Sequence, residues 1–284
     1  MSRFSAVSVA LVFGALSVTA GAAWALDNDP QLNLLCTIQD SSNEATPCGS
    51  TPTGDLALFK GLSRDYGLVL APTLLAPAET MGINGFQFDF QVNVTQIDNT
   101  QIYWPLGIED GQAPPALVTT RLGVRKGLPY SLEVGMNATY LMESELWGLG
   151  GMVKWAINES VNDFPIDVAV RGSINRVVGS TQLDLTVVGM DVVVGHDFGL
   201  GGVLNLSPYF AYSPVWIITR SGVIDATPGK NDDPESSFVF GEERQLVNRY
   251  ALGFRFILGT FNFTIESVLA GDLVSYNSNI GVSF

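Results

Sequence analysis

The chain has 284 residues, of which 28 are acidic and 14 are basic, so its formal net charge at pH 7 is −14. This balance argues against a nucleic-acid partner, because surfaces that bind nucleic acid are basic. The mean hydropathy is nevertheless positive, +0.26, although beyond the N-terminus no stretch reaches the ~18 consecutive apolar residues of a membrane-spanning helix. Apolar faces of β-strands would account for this combination.

The first 25 residues have the features of a secretory signal peptide. Arg3 provides a basic start, and residues 6–20 are apolar but too short and too rich in small side chains for a good membrane-spanning helix. Residues 23–25, AWA, match a cleavage site, so we expect export and cleavage near Ala25. The alternative is a retained anchor helix.

The chain contains two cysteines, Cys36 and Cys48, which lie close together in the sequence. In an oxidising compartment a disulfide between them would close the loop 37–47. Two unrelated buried thiols are the alternative. Because two cysteines and one histidine are too few for an ordinary structural zinc site, we expect no metal.

One segment near the N-terminus, residues 55–66, is predicted to be helical. Apolar side chains recur there at three- and four-residue spacings, at Leu56, Phe59, Leu62 and Tyr66. That spacing is typical of an amphipathic helix, and Asp55 is a suitable N-cap. The apolar stretch that follows, 68–76, is interrupted by proline, so we predict an extended link into the first strand.

From residue 84 onward, apolar and polar side chains alternate with the period of a β-strand that has two different faces. The first of these segments, 85–94, places phenylalanines and valines on one face and Gln, Asp and Asn on the other. The same alternation predicts ten strands, over residues 85–94, 118–125, 130–142, 147–157, 166–174, 183–196, 204–212, 249–258, 261–266 and 274–284.

Two details of this strand assignment matter below. In 183–196 the apolar residues change parity near Val188 and Gly189, which predicts a β-bulge. The strand count could also be eight or twelve, since 68–76 and 99–106 could hold strands.

The last strand ends the chain on an aromatic residue, Phe284, with Tyr276, Ile280 and Val282 on the same face. This stretch resembles the closing strand of bacterial outer-membrane β-barrel proteins, which typically ends in a terminal Phe preceded by hydrophobic residues at alternate positions. The resemblance implies an all-β fold, an antiparallel transmembrane β-barrel over residues 84–284, in the bacterial outer membrane. It also implies that Tyr276 and Phe284 form an assembly signal for the barrel-assembly machinery, and that outer-membrane lipid and lipopolysaccharide contact the barrel.

The lengths of the connections between strands agree with this topology. If the first strand runs outward, the connections on the outside are 95–117, 143–145, 175–182, 219–245 and 271–273. The connections on the periplasmic side are 126–129, 158–164, 197–202 and 259–260. Only the first set contains long loops, as expected for outer-membrane barrels. Residues 26–83 would then form a periplasmic N-terminal segment, whose helix either folds into the lumen as a plug or lies across the periplasmic mouth.

The inward face of the predicted barrel carries charges of both signs. These residues are Asp89, Arg121, Arg125, Glu133, Lys154, Asp167, Arg171, Arg249, Arg255 and Glu266. A lone charge inside a narrow barrel is unfavourable, so we expect them to pair. They would form either a structural ladder of ion pairs or a polar conduit with a slight cationic excess.

The sequence predicts no catalytic site. The single histidine, His196, lies next to a predicted periplasmic turn, and the chain has no Gly-x-Ser-x-Gly elbow. It also has no phosphate-binding loop or dinucleotide fingerprint, so we expect no cofactor.

The sequence favours a narrow pore or a protein that transports or binds a small solute, plugged by its N-terminal segment. The alternative is a structural or surface-interaction barrel, adhesin-like, that works through loops 95–117 and 219–245.

Overall fold

The computed structural model describes residues 28–36, 53–158, 166–200, 204–226 and 237–284. The predicted signal peptide and Cys48 lie outside these ranges. Cys36 is buried and forms a β-bridge with Gly54. Because Cys48 is not among the described residues, its pairing with Cys36 stays a prediction. Neither helix in the described ranges is long and apolar enough to cross a membrane.

The described residues form two helices and fifteen strand segments. The helices are α1 (Leu56–Val69) and α2 (Tyr103–Gly107). The strands are β1 (Phe86–Gln96), β2 (Ala116–Leu128), β3 (Leu132–Leu141), β4 (Trp147–Ala156), β5 (Asp167–Val178), β6 (Leu183–Gly195), β7 (Phe198–Leu200), β8 (Leu204–Tyr212), β9 (Val215–Ser221), β10 (Ile224–Asp225), β11 (Ser237–Phe238), β12 (Glu243–Val247), β13 (Arg249–Leu258), β14 (Phe261–Ala270) and β15 (Leu273–Ser283).

The strands close into a ten-stranded antiparallel barrel, which confirms the predicted fold and strand count. The last strand, β15, pairs with β1 from Gln87↔Ser283 to Gln96↔Val274. Two of the ten barrel strands consist of two segments each, β8 with β9 and β12 with β13. Proline 214 lies between β8 and β9, where it cannot donate a ladder hydrogen bond. The barrel closes because β6 pairs with both β8 and β9.

The predicted β-bulge in β6 is absent from the observed strand. The register between β5 and β6 is continuous from Asp167↔Gly195 to Arg176↔Thr186, and the odd-numbered residues of β6 are buried throughout. The apolar residues change parity for another reason. At one end of the strand the barrel interior is itself apolar, so Leu183, Leu185 and Val187 face inward, whereas further along the apolar residues face outward.

The predicted helix is present as α1, and the carboxylate of Asp55 accepts hydrogen bonds from the first turn. The sequence left two locations open for it, the lumen and the periplasmic mouth. The helix lies inside the barrel, at the end that bears the long connections, where Gly67 packs closely against Ile217 of β9 and Arg64 pairs with Asp272 at 3.1 Å. The helix therefore plugs the lumen and does not lie across the opposite mouth.

Candidate functional site

The interior of the barrel contains a large apolar cluster around α1, which we call the seal. Phe59, Leu62 and Tyr66 of the helix are fully buried there. They pack against Trp104 of α2 and against inward residues of the wall such as Ile217. Phe240, from the longest connection, stacks on Phe59 with ring centroids 4.3 Å apart. The seal thus joins the helix, the wall and two long connections.

After the helix, residues 70–79 cross the lumen in an irregular extended conformation, and we call this segment the strap. An extended segment without a strand partner leaves its carbonyl groups unpaired unless side chains or water satisfy them. Here the barrel wall supplies the donors. The carbonyl oxygens of Leu70, Ala71, Pro72 and Thr73 accept hydrogen bonds from Asn175 (2.5 Å), Arg121 (2.8 Å), Arg249 (3.0 Å) and Arg171 (2.7 Å), respectively.

Three arginines of the wall, Arg121, Arg171 and Arg249, therefore hold the strap. Arg121 donates hydrogen bonds to uncharged oxygens, the carbonyl of Ala71 and the hydroxyls of Thr73 and Thr139, the last two at 2.7 Å. Arg171 pairs with Asp191 at 2.6 Å. Arg249 donates to the side-chain hydroxyl of Ser213 at 2.8 Å. Because the strap carbonyls contribute much of this coordination, we call these three residues the strap arginines.

A second charged group lies toward the end with the short turns. Arg125 bridges Asp89 (2.8 Å) and Glu133 (3.5 Å), and Lys154 contacts Glu133 at 3.2 Å. Lys154 also donates to the strap carbonyl of Glu79 at 2.6 Å. These residues form a ladder of buried ion pairs that ties the end of the strap to the wall.

Two further predicted lumen residues, Glu266 and Arg255, also form hydrogen bonds in the interior. Glu266 accepts from the backbone N–H of Leu75 at 3.0 Å and from the hydroxyl of Tyr209 at 2.9 Å. Arg255 donates to the side-chain oxygen of Gln87 at 2.9 Å. The strap is therefore bonded to acidic as well as basic side chains of the wall.

The structure places nine of the ten predicted lumen charges in the buried interior. The tenth, Asp167, is partly exposed near the rim, with an oxygen 3.9 Å from Nδ1 of His196. Sequence analysis missed Asp191, which is fully buried against Arg171. Its neighbours Met190 and Val192 face outward, so the alternation itself could have identified it.

The buried wall charges have a cationic excess. They comprise six basic and four acidic side chains: Arg121, Arg125, Lys154, Arg171, Arg249 and Arg255 against Asp89, Glu133, Asp191 and Glu266. The sign is opposite to that of the whole chain, whose net charge is −14.

Beside the strap, a cavity of about 40 Å³ remains, which is space for roughly one water molecule.

The seal also contains a buried carboxylate, Asp65 of α1. It accepts hydrogen bonds from the hydroxyl of Tyr103 at 2.8 Å and from Nε of Arg64 at 3.0 Å. Burial raises the pKa of Asp65 above its ordinary value, while these two contacts oppose the rise. The same burial and the nearby carboxylate raise the pKa of Tyr103.

The predicted assembly residues lie on the outer face of β15 and at its end. Tyr276 and Phe284 are both exposed, and Phe284 exchanges two backbone hydrogen bonds with Phe86 at the start of β1. Phe284 thus completes barrel closure. Its role as an assembly signal stays a prediction, which deletion of Phe284 and measurement of membrane insertion would test.

The outer face of the barrel is apolar along its strands, as Phe88, Leu122, Leu149 and Leu252 illustrate. A closed antiparallel barrel with an apolar exterior and a polar interior is the architecture of outer-membrane β-barrels. The chain is an outer-membrane β-barrel protein.

Comparison with known proteins identifies no particular family, since no family model and no curated protein matches the chain. Among solved structures, the chain is similar to the KdgM porin, at 7% identity over 70% of this chain and 99% of that chain, with a TM-score of 0.34. It is similar to an outer membrane channel from Pseudomonas putida F1, at 8% identity over 75% and 100% of the two chains, with a TM-score of 0.35. It is also similar to Ail, the attachment invasion locus protein of Yersinia pestis, at 11% identity over 71% and 99%, with a TM-score of 0.29.

Proposed function

We propose that the protein is a narrow channel for small anionic solutes, closed by its own N-terminal segment. The observation that carries the proposal is the coordination of the strap arginines by backbone carbonyls of the strap. Carbonyl oxygens carry partial negative charge, so they can take the place that an anion or water would occupy beside a guanidinium group. Withdrawal of the strap would leave these arginines facing the lumen.

Among the residues that the structure describes, the cavity beside the strap is about 40 Å³, which is too small for a solute much larger than water. Transport therefore requires movement of the strap, the helix, or both. The strap is suited to such movement because it has no ladder hydrogen bonds of its own to break. Its polar contacts to the wall are side-chain hydrogen bonds, which water can replace. Leu74 and Ala78 add apolar packing against the wall, which movement of the strap would have to break.

A barrel that works through its long connections is the second candidate, and it draws less support. In both long connections, described residues fold inward and contribute to the seal. Tyr103 and Trp104 of α2 are buried, as are Phe238 and Phe240 of the connection between β9 and β12. Such packing favours a lid over the helix. The proposal includes no catalytic step.

Conductance in planar bilayers tests the proposal. We expect the full chain to be closed most of the time and a chain lacking residues 26–80 to conduct continuously, with preference for anions. Heat-dependent migration in electrophoresis would verify that the truncated barrel is folded. A correctly folded truncated barrel without conductance would contradict the channel function, whereas a cation-selective current would contradict only the assigned selectivity.

A further inference from the structure

The outer face of the barrel carries a group of arginines at one end. In the barrel strands that the structure describes, the outward-facing basic residues are Arg176 of β5, Arg220 of β9, Arg244 of β12 and Lys126 of β2. The three arginines lie within four adjacent strands, in the order β5, β6, β9 and β12. All three are near the long connections, whereas Lys126 is near the opposite end. An acidic chain with an apolar outer face therefore has a local basic patch.

Each of these arginines forms an ion pair but remains largely exposed to solvent. Arg176 Nη1 and Arg220 Nε lie 2.5 and 2.7 Å from the two carboxylate oxygens of Asp184 on β6. Arg244 Nη2 pairs with Glu242 at 2.6 Å. The arginine side chains are nevertheless 52%, 62% and 73% exposed, in sequence order. Three positive groups thus face two carboxylates, and each guanidinium retains exposed surface for a further ligand.

Two of these arginines border an open cavity at the rim. Its volume is about 510 Å³, and the turn between β5 and β6 forms another side, including Ser180 and Thr181. Below it on the same outer face lie exposed apolar side chains, among them Trp216 and Leu246. In outer-membrane barrels the end with the longer connections faces outward. The cavity would therefore lie at the level of the outer lipid headgroups, directly above the acyl chains.

We propose that Arg176, Arg220 and Arg244 form a binding site for the phosphorylated headgroup of an anionic outer-leaflet glycolipid. Guanidinium groups bind phosphate through paired hydrogen bonds, and a surface arginine adds about 1 kcal/mol to association with anionic lipid. Asp184 pairs with two of the guanidinium groups and would compete with a phosphate group for them. The apolar residues below them suit the acyl chains of the same lipid. A free phosphate ion would not use this apolar surface.

The test uses the full chain refolded in phosphatidylcholine vesicles and titrated with bisphosphorylated lipid A, with tryptophan fluorescence as the readout. Replacing all three arginines by glutamine should weaken apparent affinity by roughly fivefold per arginine. Arg244→Gln alone leaves the Asp184 pairs intact and should weaken it by about fivefold, so the test does not depend on folding of the triple variant. Lys126→Gln, on the same outer face at the other end, is the matched control and should bind as the unaltered chain does.

Asp184→Asn separates ligand binding from a purely structural role. If the arginines bind phosphate, removing the competing carboxylate should strengthen lipid A binding. If the arginines only support the fold, lipid A binding should not change. Unchanged or weaker binding by Asp184→Asn, unchanged binding by the arginine variants, equal binding of dephosphorylated lipid A, or complete competition by inorganic phosphate would each overturn the proposal.

Discussion

The seal and the strap fill the same lumen by different means. In the seal, apolar side chains of α1 pack on apolar side chains of the wall. Exposing either apolar surface to water is unfavourable. In the strap, backbone carbonyls accept hydrogen bonds from arginines, and water or an anion can replace the carbonyls. If the protein is the channel that we propose, the seal would determine whether the lumen is closed, and the strap arginines would determine which solutes pass when it is open.

The largest effect is expected from weakening the seal. Phe59→Ala removes a fully buried ring that stacks on Phe240 at 4.3 Å. Loss of such a side chain typically costs about 3–5 kcal/mol, which here would reduce the free energy of docking α1 in the lumen. We expect faster hydrogen exchange of the α1 amides and more frequent channel opening.

Leu56→Ala is the matched control because Leu56 begins the same helix but is exposed. Surface substitutions usually change stability by less than about 0.5 kcal/mol. If both variants exchange at the same rate, the seal does not hold the helix in place.

The next effect concerns the strap. Arg121→Gln removes the donors to the carbonyl of Ala71 and the hydroxyl of Thr73, and a buried acceptor without a partner costs about 1–3 kcal/mol. We expect weaker docking of the strap and, in the open channel, a lower ratio of anion to cation permeability. Reversal potentials in a salt gradient measure that ratio.

Lys126→Gln serves as the control for selectivity, because it removes a charge from the outer face of the same strand, β2. It should leave the ratio unchanged. An unchanged ratio in Arg121→Gln as well would show that this arginine does not line the open pathway.

The smallest predicted effect is a pH dependence of the seal. Asp65 is faced by Arg64 on its own helix, Tyr103 on α2 and Asp272 in the turn between β14 and β15. Because burial raises its pKa in the docked helix, docking favours the protonated form. Docking should therefore strengthen as pH falls through the raised pKa and weaken as pH rises above it. Channel opening measured across this range should be less frequent at the acidic end.

Asp65→Asn tests the assignment of this pH dependence. The amide keeps the size of the side chain and an oxygen acceptor but does not titrate. The variant should open with little change across the same pH range. A pH dependence as large as that of the unaltered chain would assign the effect to another group.

Alternation in the sequence was sufficient to predict the ten strands, because lipid and lumen impose opposite polarity on neighbouring residues such as Phe88 and Asp89. The same rule failed in β6. There the interior around Leu185 is apolar because α1 occupies it, and the rule assumes a polar lumen. The predicted bulge was therefore wrong because α1 makes this part of the lumen apolar, while the strand itself is regular.

The position of the plug could not be predicted from the sequence. The apolar face of α1 has the spacing of any helix that packs on one side, so it indicates burial but not the partner surface. The strap likewise has no pattern that identifies its partners, since its backbone carbonyls make the contacts. Asp191, by contrast, lies between outward-facing apolar residues, so alternation does place it in the lumen.

A reversible covalent lock tests the central claim most directly. A Cβ atom on Gly67 would lie 2.6 and 3.0 Å from Cγ2 and Cγ1 of Ile217, so cysteines at both positions should form a disulfide between α1 and β9. Cys36 and Cys48 are first replaced by serine, so that reduction acts only on the new bond. We predict that the Gly67→Cys, Ile217→Cys chain in this background shows no openings in planar bilayers when oxidised and conducts anions after reduction, while the background chain responds to neither treatment. Equal currents before and after reduction of the formed disulfide would contradict closure of the lumen by the N-terminal segment.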